Sequence, residues 1–294
     1  MAVLTVTTNA AAHLPAYLEA LKRVTYPRLE LWVVDNGSRD GSPELVTATL
    51  PSAHVLRNER NLGFTGACNR GLEEILACGF DYVLFLNDDT EVTPGFVEPL
   101  VALADDRTMV APRTFLAGTD DLMDDAAGSF DWLRGTWRRR TLGRSESPAE
   151  RRVHPVEVAN LSCLLVPVPL LRRTRLLDDA FFVYYDDTDF CRRAREAGGR
   201  ILLNPASVVY HRKGATLGGQ ISPFGCYYLT RNRPYLIRKH TRSNLRFAVF
   251  AAYFFGSRAA RAAIWAAQGR RDLVRATAAG LRDYALGRMG PRRE

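Results

Sequence analysis

Apolar residues come in short clustered runs near the amino terminus. Val3–Thr7 and Leu29–Val34 are β-branched and continuous, and between them Leu14, Tyr17, Leu18 and Leu21 recur at helical spacing. Strand, helix, strand is the pattern of a parallel sheet. Asp35-Asn36-Gly37-Ser38 closes the second strand as a turn, and Ser42-Pro43-Glu44 reads as an N-cap, a proline at the first helical position and an acidic first turn. A third strand at His54–Arg57, a helix from about Gly66 to Cys78 and a strongly apolar strand Tyr82–Leu86 extend the alternation. This half is expected to be doubly wound α/β.

Beyond Leu86 the alternation loosens. The pattern predicts a helix near Thr93–Ala104, a strand near Val110 and a long surface excursion from Gly118 to Arg152, where Gly, Asp and Arg dominate. Order returns with an apolar stretch Val156–Val166, a helix from near Asp187 stopped by Gly198-Gly199, and a last strand around Ser207–Tyr210. From Cys226 the chain is helical in composition, and its apolar segment Phe247–Gly256 is too short to span a bilayer. The expected division is a domain over 1–225, with halves 1–90 and 91–225, and a helical appendage over 226–294.

Charge divides along the same line. Residues 231–294 carry 15 Lys and Arg against Asp272, Asp283 and Glu294, a net of +12, which leaves −4 for residues 1–230 of the formal +8. A slightly acidic body with a basic tail argues against a nucleic-acid-binding surface and for a local contact made by the tail. The five cysteines are widely spaced and form no CxxC pair, which fits neither a disulfide framework nor a zinc ribbon and points to a reducing interior. MAVLTVTTN, with no basic start and no long apolar stretch, does not read as a secretory signal.

Five segments could carry chemistry. Asp35 ends a strand where open parallel sheets place ligands, although an Asx-turn explains it equally well. Asn61, Gly63 and their neighbours form a glycine-bearing strand-to-helix junction that suits a nucleotide or a plain turn, without the dinucleotide GxGxxG or a P-loop. Asn87-Asp88-Asp89 follows a buried strand directly; oxygen ligands of this kind select Mg²⁺ or Mn²⁺, and an exposed acidic turn is the alternative. In Tyr184-Tyr185-Asp186-Asp187-Thr188-Asp189, one acid suffices to complement a helix start; three suggest a carboxylate placed to remove a proton from a hydroxyl. His211 leaves the last strand as a lone histidine, most simply a surface or core residue.

In this order VTTN, VVDNGSRDGS, NERNLGFTGACNRG, FLNDDT, FFVYYDDTDFCRRAREAGG and VVYH resemble the family-2 glycosyltransferases of GT-A fold, in the rhamnosyltransferase and galactofuranosyltransferase-like branch, over about residues 3–235. The resemblance implies a GT-A α/β fold: a nucleotide-binding, doubly wound, mostly parallel sheet with a mixed acceptor half. It implies an inverting transfer from a nucleotide-sugar donor, dTDP-rhamnose or a UDP-sugar, to a glycan or lipid-linked acceptor. It places Thr7 and Asp35 at base and ribose, Asn61 and Gly63 along the nucleotide, and Asp88-Asp89 as the acidic motif that holds a divalent metal on the diphosphate. The Mn²⁺ or Mg²⁺ ion lies between Asp89 and His211, with Asp88 orienting or sharing it and Asn87 at most a weak or water-mediated ligand, and the catalytic base is Asp187. Asn87 stands where many members have Asp, and Asp186 where they have Glu. A sugar-phosphate nucleotidyltransferase or a non-catalytic nucleotide-sugar-binding module are the alternatives; the first would carry a basic Gly-rich loop where this chain has Thr7-Thr8-Asn9. The basic aromatic tail implies a cytoplasmic chain, peripheral on the anionic inner face of the cell membrane, or else a tail packed on the body as a core cap or joining copies as a homo-oligomer.

Overall fold

The first four apolar runs pair in parallel. β1 (Ala2–Thr7), β2 (Glu30–Asp35), β3 (His54–Arg57) and β4 (Tyr82–Leu86) are joined by α1 (Leu14–Lys22), α2 (Ser42–Thr49) and α3 (Gly63–Ala77), in the spatial order β3-β2-β1-β4. The computed structural model describes residues 1–119, 122–124, 126–138, 142–146, 151–212 and 221–292. Successive side chains in these strands enter two cores. Leu4, Val34 and Phe85 pack with α3, while Val3, Val33 and Leu84 pack with α1. Burial on both faces is why the strands read as continuous apolar runs and not as alternating ones.

The second half completes the same sheet with mixed directions and adds a separate three-stranded sheet. In chain order it adds β5 (Thr90–Val92), α4 (Val97–Leu103), β6 (Thr108–Leu116), β7 (Ala127–Asp131), β8 (Thr136–Arg138), β9 (His154–Val156), β10 (Val158–Ala159), β11 (Cys163–Pro167), α5 (Val168–Thr174), α6 (Asp186–Glu196) and β12 (Arg200–His211). β11 inserts antiparallel between β4 and β6, and β12 runs parallel to β6 with β5 antiparallel on its other side. The expected helix over 93–104 is therefore shorter, because Thr90–Val92 is a strand ahead of Pro94-Gly95. The stretch Val156–Val166 is three strands divided by a turn. The strand expected at Ser207–Tyr210 is the end of a twelve-residue strand whose register shifts between Asn204 and Val208.

Two expectations need correction. The Gly118–Arg152 excursion is not merely a surface loop, although its residues 120–121, 125, 139–141 and 147–150 lie outside the described residues. β7 and β8 form a hairpin that pairs with β10, Phe130 is buried in the core, and Trp137 Nε1 donates to Thr188 Oγ1 at 3.0 Å. Its few large aromatics do the packing, which an average over so many Gly, Asp and Arg conceals.

The tail differs as well. α7 (Pro223–His240) begins before the boundary placed at 226, and its Tyr227, Tyr228 and Arg231 are among the largest fully buried side chains. α8 (Asn244–Ala267) sends Phe250 and Phe254 into the main core, and α9 (Arg271–Ala285) packs Leu273 and Ala276 with Tyr227 and Tyr228. Leu245, Val249, Tyr253, Phe255 and Ile264 of α8 are exposed. No helix among the described residues is long and apolar enough to cross a membrane.

Candidate active site

Parallel β1, β2 and β4 end on one rim, where open α/β sheets receive ligands. Thr7 and Asp35 are register partners at the ends of β1 and β2. Asp35 is buried, and its carboxylate accepts from the Ser38 N–H at 3.3 Å. Asn36 ties the rim together: its Nδ2 donates to Asn61 Oδ1 (3.0 Å) and to Gly63 O (3.2 Å), and its Oδ1 accepts from Asn58 Nδ2 and from the Leu62 N–H. The Asn61 side chain thus braces the turn, its oxygen also accepting from the Gly63 N–H at 2.7 Å. Gly63 has φ +78°, and a Cβ there would lie 2.5 Å from Phe182 O. Close approach to Phe182 accounts for the glycine without a ligand.

β4 delivers the acidic pair. Asn87 donates its N–H to Ser162 O, and its own carbonyl accepts from Thr90 Oγ1, which fixes the turn. Asp88 stands 3.4 Å from His13 Nε2. Burial raises the Asp88 pKa, with the nearby Thr7 hydroxyl and His13 opposing it. Thr7 Oγ1 is near Asp88 without a hydrogen bond of ordinary geometry, and it is buried without a partner, as is Asp89 Oδ1. Two such atoms on one rim are what a polar ligand would satisfy.

Asp89 meets His211 because β5 pairs with the end of β12: Thr90 is opposite His211, and the Arg212 N–H donates to Asp89 O at 2.8 Å. His211 Nε2 is 3.2 Å from Asp89 Oδ2, and Nδ1 is 2.9 Å from Asp124 Oδ2. Burial works against protonation of this ring, but the two carboxylates outweigh it and its pKa is pushed up to about 9. A carboxylate behind a histidine fixes ring orientation and tautomer, the arrangement found behind metal-bound imidazoles. Asp89 and His211 offer an oxygen and a nitrogen that fit a divalent cation, with Asp89 Oδ1 otherwise unsatisfied. Among the described residues no group of three His, Cys, Asp or Glu forms a complete cage.

The third cluster opens α6. Asp187 is half-buried, and its Oδ1 accepts from the Thr188 N–H at 2.5 Å and from Thr188 Oγ1 at 3.1 Å. Burial raises the pKa of Asp187; burial and the Asp187 charge raise that of Asp186 further. Asp189 goes the other way. Burial opposes its ionisation, but His240, Arg193 and Lys239 hold it down at about 2. It is an anchor between α6 and α7, which explains one of the three acids without chemistry. Asp187 makes no hydrogen bond to Asp88, Asp89 or His211.

Phe182, Tyr184 and Tyr185, just before these acids, all have positive φ, between 65° and 68°. Such strain persists only where the surroundings impose it. α7 imposes it: Asn232 Nδ2 donates to Phe181 O and Val183 O at 2.8 Å and to Tyr184 O at 3.2 Å, while Arg231 donates to Ala180 O and Phe181 O. Sequence reasoning named neither these two residues nor Asp124 and His13. Arg231-Asn232-Arg233-Pro234, polar residues ahead of a proline in an otherwise helical run, was the available signal for the first pair; Asp124 offered none among its neighbouring acids.

Residues 2–146 match the family described as Glycosyl transferase family 2. The chain is 26% identical over 240 residues to N-acetylglucosaminyl-diphospho-decaprenol L-rhamnosyltransferase of Mycobacterium tuberculosis (strain ATCC 25618 / H37Rv), covering 74% of this chain and 77% of that protein. Among solved structures, GalNAc-T7 with UDP, GalNAc and Mn2+ superposes with a TM-score of 0.58 at 19% identity over 72% of this chain, which spans only 43% of that one. S. aureus TarS 1-349 superposes with a TM-score of 0.56 at 16% identity, covering 86% of this chain and 69% of that one. At these identities the structural likeness is one of fold.

Proposed function

With residues 2–146 placing the chain among the family-2 glycosyltransferases and its sheet in the GT-A arrangement, we propose that it moves a sugar, with inversion, from a nucleoside-diphosphate donor to a hydroxyl of a lipid-linked glycan. The observation that carries this reading is the Asp89–His211–Asp124 line at the rim where β1, β2 and β4 end. Thr7 and Asp35 hold base and ribose, while Asn61, Gly63 and Asn87 line the nucleotide path. Asp89 and His211, with Asp88 orienting or sharing it, would hold a divalent cation, Mn²⁺ or Mg²⁺, whose chemistry is to neutralise the departing diphosphate. Asp187 accepts the proton of the acceptor hydroxyl as that oxygen bonds to the anomeric carbon and the bond from that carbon to the diphosphate oxygen breaks. The rhamnosyltransferase relative supports dTDP-rhamnose as the first donor to try, and the decaprenol diphosphate in its name supports a lipid-linked acceptor.

The test is a nucleotide-sugar panel read by nucleoside diphosphate release. Transfer should disappear after exhaustive chelation and return with Mn²⁺ or Mg²⁺, and Asp124→Asn should raise the metal concentration needed by about 10–100-fold, the usual cost of losing a carboxylate behind a metal-bound histidine. Full activity without metal rejects the cation.

The exposed apolar residues of α8 and the +12 tail support peripheral binding at the anionic cytoplasmic leaflet. Co-sedimentation with anionic but not neutral vesicles, weakened by salt, is the expected result. Absence of binding at low salt would make the tail a dimerisation or core-capping element instead.

A further inference from the structure

Arg258 of α8 is half-buried and has neither a hydrogen bond nor an ion pair among the described residues; its Nε is buried with no partner. Buried guanidinium groups are ordinarily paired, since a buried charge without a counter-charge costs several kcal/mol. Its neighbourhood adds to the cost. Arg233 lies within electrostatic reach, and that like charge, together with burial as the larger cause, pulls the Arg258 pKa down. Arg233 spends Nε and Nη2 on the carbonyl of Arg134 and sits against the rings of Tyr253 and Phe254, with no carboxylate. Arg261, three residues on and so on the same side of α8, lies over Trp265, is exposed, and has no carboxylate partner among the described residues. Among the described residues no carboxylate pairs with Arg258, Arg233 or Arg261.

The place of the cluster indicates what relieves it. Arg258 is also within reach of Tyr185, the residue directly before Asp186-Asp187. Hydrogen bonds put the cluster beside the proton-accepting end of the site: Arg233 donates to Arg134 O, the Tyr185 hydroxyl donates to the next carbonyl, Gly135 O, at 3.4 Å, and Trp137 of the same hairpin donates to Thr188 beside Asp187. Exposed Phe255 and Ile264 lie one turn before Arg258 and one turn after Arg261. Guanidinium forks bind phosphate oxygens in pairs, and apolar side chains beside them suit an attached hydrocarbon. We propose that Arg258, with Arg233 and Arg261 beside it, binds the phosphate of the acceptor, an amphiphile carrying its sugar on a phosphate or diphosphate. The assignment rests on the transferase reading and adds to it how the acceptor is held.

The test compares the full-length chain with Arg258→Ala and Arg258→Lys. Inorganic pyrophosphate is titrated by calorimetry into protein saturated with dTDP or UDP, whichever of the two binds, so that the donor rim is occupied. Wild type should bind it, Arg258→Ala at least 10-fold more weakly, and Arg258→Lys in between. With two soluble acceptors, a short-alkyl sugar diphosphate and the alkyl glycoside of the same sugar, Arg258→Ala should raise KM for the first at least 10-fold and leave the second and the donor KM unchanged. Its Tm should stay level or rise, because the residue removed has no partner. Equal pyrophosphate binding in wild type and variant, or a lowered Tm with equal loss on both acceptors, overturns the proposal. Weaker vesicle binding with an unchanged diphosphate KM overturns it too, assigning the cluster to membrane headgroups. Were wild type to release no nucleoside diphosphate from any sugar, the transferase reading would fail, while the pyrophosphate titration would still report on the cluster.

Discussion

Asp187→Asn is expected to lower turnover by about 10²–10⁴-fold, the range for loss of a positioned general base, with donor affinity little changed. The amide keeps the oxygen that accepts from Thr188 and removes the group that takes the proton. Stability should not fall, because burial disfavours the charged carboxylate that the amide replaces. The pH profile gives a second reading. A base must be ionised, and burial raises the Asp187 pKa; activity should therefore fall on acidification at a pH above the ordinary carboxylate range. Asp186, raised further, stays protonated longer, and the two titrate as a pair. The residual activity of Asp187→Asn should lack this acidic limb. Near-normal turnover in the variant would sink the assignment.

Asn232→Ala should cost at least about 2 kcal/mol of stability and much of the activity, although the residue lies on the tail helix. One carboxamide nitrogen serves the carbonyls of Phe181, Val183 and Tyr184, and a buried group left unsatisfied costs about 1–3 kcal/mol. Losing the strap also frees a backbone held at positive φ at three non-glycine residues, directly before Asp186 and Asp187. Denaturant unfolding with an unchanged m-value and single-turnover kinetics measure the two effects. A stability loss under about 0.5 kcal/mol would mean that the bond from the Thr65 N–H of α3 to Phe182 O suffices without it.

The strands of the first half and the polar residues at their ends were legible because both signals are local. A buried parallel strand announces itself by a short apolar run, and Asp35 and Asn87-Asp88-Asp89 stand directly after such runs. The helix opening at Asp186 and ending ahead of Gly198-Gly199 was legible for the same reason. Asp189 shows the limit: in the chain it is one acid among three, and only the arrival of Lys239 and His240 from α7 makes it an anchor.

The sequence by itself determined that this protein has a parallel nucleotide-type sheet with acids at its carboxyl rim and a basic aromatic tail; motif resemblance added the family. Tertiary structure alone decided that β11 enters antiparallel beside β4, that pairing of β5 with β12 sets Asp89 against His211, that Asp124 stands behind that histidine, and that α7 is a strap over the strained loop and not an appendage. The physical reason is separation along the chain. Periodicity and turn chemistry act over a few residues, whereas these contacts join segments tens to more than a hundred residues apart, and they are selected only when the whole set of buried surfaces and hydrogen bonds is satisfied together.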